Sequence, residues 1–287
     1  MRVLVTGASG FIGSALVSRW LAEGHELIRV CRTGSAIPMS NTISWNVADT
    51  LPEGDFPEEI DAVVHLAQSR AFRNFPADAP EMFDVNVRMT AALLQWAVKA
   101  RAKQFILASS GAVYEPYAGP ICETAALAPH GFLGSTKLAA EVIANSYADT
   151  FKLSVLRLFF PYGPGQRDRL IPDLIRRVKT RQAVQVTADG EGLQFPPIFI
   201  EDVVSVFSEC LERAWTGTFN VATSELISIR QAAASIGEQL KISPLYERVD
   251  GPSLAIKPDL GRLAERFDVK RFMRFEDGLQ AIIAAAP

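Results

Sequence analysis

Two stretches of this 287-residue chain carry the residue types and spacings from which chemistry can be built. The first is GASGFIG, which places Gly7, Gly10 and Gly13 three apart directly after the apolar run RVLVT. Between a strand and a helix, the first glycine allows a tight turn and the second lets the backbone approach a pyrophosphate. The third lets the helix pack on the strand. Ser9, Gly10, Phe11 and Ile12 would then turn backbone N–H groups and the helix dipole toward phosphate oxygens. The spacing differs by one residue from the usual dinucleotide fingerprint, so its strand–helix context carries the reading. The second stretch is PHGFLGSTK, ending in Lys137 at the threshold of a helix. Leu133, one helical turn back on the same face, has no ionisable group. His130 lies nearby, with an imidazole that titrates near neutrality.

A third position bears on the same chemistry. A NAD-preferring dinucleotide site ends its second strand with a carboxylate that accepts the ribose 2′-hydroxyl. Here the strand ends RVCRTGS, with Cys31 at that place and Arg32 after it. A guanidinium can clamp a 2′-phosphate bidentately, which favours NADP(H) over NAD(H). The competing reading makes Arg32 a solvated surface arginine.

The elements that must position these residues follow from the apolar pattern. Short uninterrupted apolar runs lie at 2–6, 26–31, 61–67, 104–109 and 153–159, with amphipathic helical patterns at 11–23, 81–100 and 135–149. Gly24 closes the first helix. Strands of this kind are buried on both faces of a parallel sheet, and their alternation with helices predicts an α/β, doubly wound, Rossmann-type sheet with right-handed crossovers. After Phe159 the loop PYGPGQRDRLIPDL leads to a helix near 171–180. FPPIFIEDVV reads as a return strand running into another helix, and the tail from about 224 is mixed and helical. The expected division is a dinucleotide-binding domain over 1–160, joined again by 196–222, and a smaller discontinuous C-terminal substrate domain over 161–287.

Composition excludes several function classes. The chain is 48% hydrophobic and 21% charged, with a net charge of −3, which gives no electrostatic footprint for nucleic acid or an anionic membrane. No apolar run approaches the ~20 residues that span a bilayer, and the N-terminus reads as a strand and glycine loop rather than a signal peptide. Cys31, Cys122 and Cys210 are scattered and odd in number, which suits a reducing, cytoplasmic setting without a disulfide framework. Neither they nor His25, His65 and His130 have metal-ligand spacing, so no metal is expected.

Further stretches recur in a familiar order: VVHLAQ at 63–68, Asn86–Val87 ahead of Thr90, ILASSGAVYE at 106–115, RLFFPYGPGQ at 157–166, IFIEDVV at 198–204 and FNVAT at 219–223. Together with the glycine loop, from residue 1 to about 280, the chain resembles the extended short-chain dehydrogenase/reductase superfamily, in its nucleotide-sugar epimerase/dehydratase-like branch. That resemblance implies a cofactor site formed by Gly7, Ser9, Gly10, Phe11, Ile12, Gly13, Arg32, Asn46, Val47, Leu66, Ala67, Asn86 and Lys137. It puts Ser110 at the Ser/Thr that fixes the substrate oxygen, with Ser109 the lesser choice. Lys137 is the lysine that holds the nicotinamide ribose and lowers the pKa of a catalytic tyrosine. The tyrosine position is Leu133.

Other departures accompany that loss. Glu115 replaces the glycine of V-Y-G, Phe160 replaces an asparagine, and Phe195, Pro196–Pro197 and Phe199 replace an arginine-led approach and a histidine. In relatives that asparagine and arginine help hold a nucleotide diphosphate, so the phenylalanines imply a less polar pocket. Arg167, Arg169, Arg176 and Arg177 remain as candidates for an anion, against the commoner role of such arginines as a solvated face. His130 is the first candidate to replace the tyrosine as acid or base, ahead of Tyr162, Tyr114, Cys122 and Glu123. The leading expectation is an NAD(P)-dependent oxidoreductase, epimerase or dehydratase acting on a nucleotide sugar or related carbonyl or hydroxyl compound. The alternative is a catalytically degenerate NADP(H)-binding regulatory or structural protein. The resemblance also implies a homodimer through the helices at 81–100 and 135–149, using Ala91, Leu94, Ala139, Val142 and Ile143.

Overall fold

In the computed structural model, residues 1–285 are described except for 33–40, 47, 48, 50, 70–74 and 118–120. The chain divides into two compact units. One comprises Met1–Gly119, Glu123–Leu158 and Val204–Asn220, and the other Pro120–Cys122, Phe159–Val203 and Val221–Pro287.

The first unit is built on a seven-stranded sheet. In chain order its strands and helices are β1 (Arg2–Thr6), α1 (Phe11–Ala22), β2 (Glu26–Cys31), β3 (Thr42–Ser44), β4 (Ala62–His65), α2 (Ala79–Phe83), α3 (Met89–Lys99), β5 (Gln104–Ser110), α4 (Phe132–Asn145) and β6 (Lys152–Leu158). A π turn over Asp84–Arg88 joins α2 to α3, so the single helix expected at 81–100 carries a wider turn in its middle. α4 starts three residues earlier than the pattern at 135–149 suggests, because Gly131 in extended conformation serves as its N-cap. The α1 boundary is as read, with Gly24 just past the helix end at φ +83°.

The second unit supplies β7 (Pro161–Tyr162), α5 (Leu170–Lys179), β8 (Val184–Val186), β9 (Gln194–Phe195) and β10 (Ile198–Phe199). α6 (Ile200–Glu212) and β11 (Gly217–Val221) follow, and the chain ends with β12 (Ile227–Ser228), α7 (Ile229–Leu240), β13 (Tyr246–Arg248), α8 (Gly261–Ala264) and α9 (Phe275–Ala284).

The large sheet has the order β11-β6-β5-β4-β1-β2-β3, and its registered pairs around β1, β2, β4 and β5 are parallel. Chain direction across the sheet therefore reverses between β1 and β4. In a doubly wound sheet the crevice beyond the carboxyl ends of those two strands is where a dinucleotide lies. Strand residues alternate between two buried faces, as the uninterrupted apolar runs require. Leu4, Val63, Phe105, Leu107, Leu153 and Val155 join one core with Leu93, Leu94, Trp96 and Ala97 of α3 and Ala140 and Ala144 of α4. Trp45, Phe56 and Trp96 extend that core with edge-on ring contacts. Trp20 of α1 is tied to Ser208 of α6 by a 2.8 Å hydrogen bond from its indole nitrogen, which satisfies a fully buried donor. β3 escaped the sequence reading because three residues are too few to show a period.

The second unit is a set of two-stranded sheets and helices. β10 pairs in parallel with β7, β9 runs antiparallel to β12, and β13 lies parallel to β8. A complete capping box, Ser228 with Gln231, starts α7 and explains its sharp beginning.

Candidate cofactor and active site

The β1–α1 loop has the form a dinucleotide needs. Gly7 adopts φ +65°, and a Cβ on it would stand 2.9 Å from the backbone nitrogen of Ala67 in the loop after β4. A Cβ on Gly13 would stand 2.2 Å from the Gly7 carbonyl. Only glycines permit the two loops and the helix to meet this closely. Gly10 is the N-cap of α1 and offers no side-chain cap, so the first-turn amides beside Ser9, Phe11 and Ile12 keep their capacity for an anion. This side-chain-free cradle at the sheet's switch point fits a dinucleotide pyrophosphate. Leu66 and Ala67 are half-buried at its far wall. Cys31 at the end of β2 is buried, while Arg32 is exposed immediately after it. Asn46 is exposed beyond β3, and Val47 lies outside the described residues.

Beneath the cradle runs a buried hydrogen-bond chain that the sequence reading missed. The Thr90 hydroxyl donates to the Asn86 carbonyl at 2.7 Å, so it can only accept from His65, whose Nε2 lies 2.9 Å away. His65 Nδ1 is therefore the unprotonated nitrogen and accepts from the Thr6 hydroxyl at 2.6 Å. Thr6 in turn accepts the Ala67 N–H at 3.2 Å, which pins the wall of the cradle. Asn86 continues the network: its side-chain oxygen accepts from Ser69 N at 3.3 Å and its nitrogen donates to Thr136 of α4 at 3.0 Å. Expected as a cofactor contact, Asn86 is buried, and its side chain ties the loop after β4 to α4. It serves the site by holding that loop.

Burial, with a smaller contribution from Lys137, pushes the His65 imidazole down to about 3. The unfolded chain takes up this proton near the ordinary value of ~6.5, so stability is complete above that pH and falls as the pH drops from it toward 3. The slope is about 1.4 kcal/mol per pH unit, or about 2 kcal/mol between pH 7 and pH 5. Urea titrations at the two pH values should show this loss, and it should disappear in His65→Gln.

Lys137 and Ser110 converge on the carboxyl end of β5. Lys137 is only 4% exposed and donates from Nζ to the Ala108 carbonyl at 2.9 Å. Burial lowers its pKa to about 8, against a smaller opposing effect of Glu141. One hydrogen bond leaves the remaining ammonium donors for a ligand such as ribose hydroxyls. Ser110 caps the 3-10 turn Gly111–Tyr114 by accepting from Ala112 N at 3.2 Å, and its hydroxyl proton stays available. α4 is pressed against that turn. A Cβ on Gly134 would stand 2.3 Å from the Ala112 carbonyl, so this glycine sets the spacing between Ser110 and the helix that bears Lys137. Leu133 is half-buried on α4, one turn before Lys137. Ser109 faces the other way and donates to Glu141.

The substitute acids nominated by sequence are mostly committed elsewhere. The buried Tyr114 hydroxyl donates to Asn220 at 2.8 Å and accepts from Arg157 at 2.6 Å. Burial raises its pKa, with Arg157 opposing. Glu123 accepts the Asn220 N–H. Tyr162, in the second unit, is buried and donates to the Phe275 carbonyl at 3.3 Å. Cys122 is half-buried in that unit. His130 is exposed on the loop before α4.

One expectation about the second unit is corrected. Phe195 and Phe199 are core residues rather than the lining of an apolar pocket. Phe195 is paired with Ile227 across β9 and β12, and Phe199 packs edge-on against Tyr162 and close to Gly278. Phe160 alone is half-exposed, its ring 5.1 Å from that of Phe195. Arg176 and Arg177 are paired with Asp173 on α5, and Arg169 donates to the Asp168 carbonyl at 3.1 Å. Among the described residues no cluster of potential ligands could hold a metal ion, and no helix is long and apolar enough to cross a membrane.

Comparison with known proteins agrees with this geometry. The profile of the NAD dependent epimerase/dehydratase family matches residues 3–222. A UDP-glucose 4-epimerase of Mycolicibacterium smegmatis is 29% identical over 258 residues, covering 82% of each chain. A dTDP-D-glucose 4,6-dehydratase of Homo sapiens is 29% identical over 265 residues, covering 84% of this chain and 74% of its own. The structure of MoeE5 in complex with UDP-glucose and NAD superposes with a TM-score of 0.87 at 27% identity, covering 99% of this chain and 98% of the other. With its glycine cradle at the sheet's switch point and this profile over most of its length, the chain belongs to the NAD-dependent epimerase/dehydratase family, within the extended short-chain dehydrogenase/reductase superfamily.

Proposed function

We propose that the chain is an NAD(P)-dependent enzyme that oxidises and re-reduces a nucleotide sugar, in an epimerase or dehydratase type of reaction, without the usual tyrosine. The observation that carries this reading is the convergence of Lys137 Nζ on the Ala108 carbonyl, two residues before Ser110. Both retained positions meet at the carboxyl end of β5, two strands from the β1 that leads into the glycine cradle. The dinucleotide, when bound, supplies the hydride chemistry. The protein holds the phosphates on the amides of α1, the ribose on Lys137 and the sugar hydroxyl on Ser110. This reading assigns the cofactor to 1–160 with 196–222 and the sugar nucleotide to 161–287, with Arg167 and Arg169 as candidates to meet an anion. One observation favours the second reading, a protein that binds cofactor without turnover: the half-buried Leu133 puts an apolar side chain where a proton relay is needed.

The test is a proton NMR time course with NAD⁺ or NADP⁺ and UDP-glucose, UDP-glucuronic acid and dTDP-glucose, since an epimerase recycles its cofactor and shows no net absorbance change. Conversion of one sugar supports the enzymatic reading. Cofactor binding by calorimetry with every sugar unchanged by the wild type, and turnover restored in Leu133→Tyr, supports the second.

MoeE5 and several other structural neighbours hold NAD, yet this chain lacks the carboxylate at the end of β2 and carries Arg32 there. NADP⁺ is therefore expected to bind more tightly than NAD⁺ in calorimetry, and Arg32→Ala should reduce that preference by about tenfold or more, the loss of one charge-assisted hydrogen bond. A homodimer through α3 and α4 is also proposed. Leu94 belongs to the core, but Val142 is 60% exposed. Light scattering at micromolar concentration should give twice the chain mass, and Val142→Glu should halve it. The three cysteines form no disulfide, in keeping with a cytoplasmic setting.

A further inference from the structure

Thr136 stands one residue before Lys137 on α4, and its buried hydroxyl is fully engaged. Its proton is shared between the Phe132 and Leu133 carbonyls, each at 3.0 Å, and its oxygen accepts from Asn86 Nδ2, also at 3.0 Å. A threonine inside a helix ordinarily bonds back to the preceding turn and stops there. This one also anchors a side chain 50 positions away, on the π turn between α2 and α3.

Asn86 reaches the wall of the glycine cradle by two routes. Its side-chain oxygen accepts from Ser69 N at 3.3 Å. Its backbone carbonyl accepts from Thr90, the near end of the chain that runs through His65 and Thr6 to the Ala67 N–H. Ala67 is the residue whose backbone meets Gly7. Through Asn86, the donors all point one way, from the Ala67 N–H toward the Leu133 carbonyl. An amide N–H stands at one end and a carbonyl at the other, so each hydroxyl and the imidazole has one assigned role. Thr6, His65, Asn86, Thr90 and Thr136 are all at most 4% exposed. Bulk solvent therefore does not make good a lost partner, and buried bonds in series strengthen one another.

We propose that Thr136 is a positioning residue for the cofactor: through Asn86 it locks the cradle wall at Ala67 and Ser69 to the first turn of α4, so that seating the dinucleotide and setting the turn that bears position 133 are coupled. The proposal rests on the cofactor site of the reading above and holds with or without turnover. The Thr136 hydroxyl has spent its proton on two carbonyls, so its effect on the cofactor runs through position rather than contact. The coupling is reciprocal: holding α4 favours the cofactor-ready wall as much as holding the wall favours α4.

The test is calorimetry of the whole chain with NAD⁺ and NADP⁺. Thr136→Val keeps the branched shape but strands the Asn86 N–H, and should weaken the tighter-binding dinucleotide about tenfold. Thr136→Ser returns the hydroxyl and should restore wild-type affinity. Thr6→Val cuts the same chain at its other end. The variant carrying both valines should fall short of the product of the two single losses by about threefold or more, as members of one network do. A merely structural threonine gives a different result: Thr136→Val then unfolds at lower urea but binds the dinucleotide as the wild type does, which overturns the proposal. Single losses that multiply to within about twofold also overturn it, since that is how independent sites behave. If Thr136→Val does not fold, Thr136→Ala, with the better helix former, is read under the same expectations. Failure of the wild type to bind either dinucleotide overturns the cofactor site itself, and the role of Thr136 falls with it.

Discussion

Replacing Leu133 by tyrosine should raise turnover of the accepted sugar about 10²–10⁴-fold, the usual contribution of one positioned acid or base. The structure prepares the site for it. Position 133 is half-buried on α4, one turn before Lys137, so a phenol there shares the lysine's face. An unperturbed phenol near pKa ~10 is a poor base at neutral pH, but the buried Lys137 ammonium 4 residues on would stabilise its charged form. Lys137 would gain as well, since burial presently lowers its pKa to about 8 and a neighbouring anion opposes that. The gain belongs in kcat, with cofactor affinity unchanged, because the tyrosine touches the reacting oxygen and leaves the glycine cradle alone. A Leu133→Tyr variant with kcat equal to wild type would show that position 133 does not face the reacting atoms.

Removing one partner of the buried pair Arg157–Glu141 should destabilise the first unit by about 3–5 kcal/mol. Arg157 Nη2 lies 2.7 Å from Glu141 Oε2, and the two side chains are 5% and 3% exposed. Arg157 Nε also donates to both Glu141 oxygens, Ser109 donates to one of them, and Arg157 Nη1 donates to Tyr114. Glu141→Ala strands a guanidinium in an apolar interior, the most costly outcome for a charge. Replacing both partners, as Glu141→Leu with Arg157→Met, removes the charges together and should lose far less than the single variant. Urea denaturation of Glu141→Leu, Arg157→Met and their double gives the coupling energy directly. Equal losses in Glu141→Ala and in the double variant would show that packing, not charge, sets the cost. The effect reaches function, because Ser109 and Tyr114 flank the turn that carries Ser110.

The sequence by itself determined the parts of this protein whose physics is local. Short β-branched runs must be strands buried on both sides, and their alternation with amphipathic stretches leads to the doubly wound sheet. Gly7, Gly10 and Gly13 act within seven residues, so their spacing already encodes a turn, a close approach and a helix start. Leu133 and Lys137 lie four apart on one helix, so that they share a face was legible from spacing alone. Helix ends were less so, since α4 begins at Phe132 through a glycine N-cap that offers no side-chain signal.

Only the tertiary structure decided which polar side chains are free to work. Tyr114 meets Asn220 across 106 positions, and His65 links Thr6 to Thr90 across 59 and 25. Such partners carry no mark in the sequence, because a buried donor requires an acceptor in space and not at any spacing along the chain. The same reason made Asn86 a buried tie between the loop after β4 and α4 and placed Phe195 and Phe199 in the core. It also brought the carboxylate of Glu115 to the empty side of Gly131, where a glutamate and a glycine 16 residues apart leave room for each other.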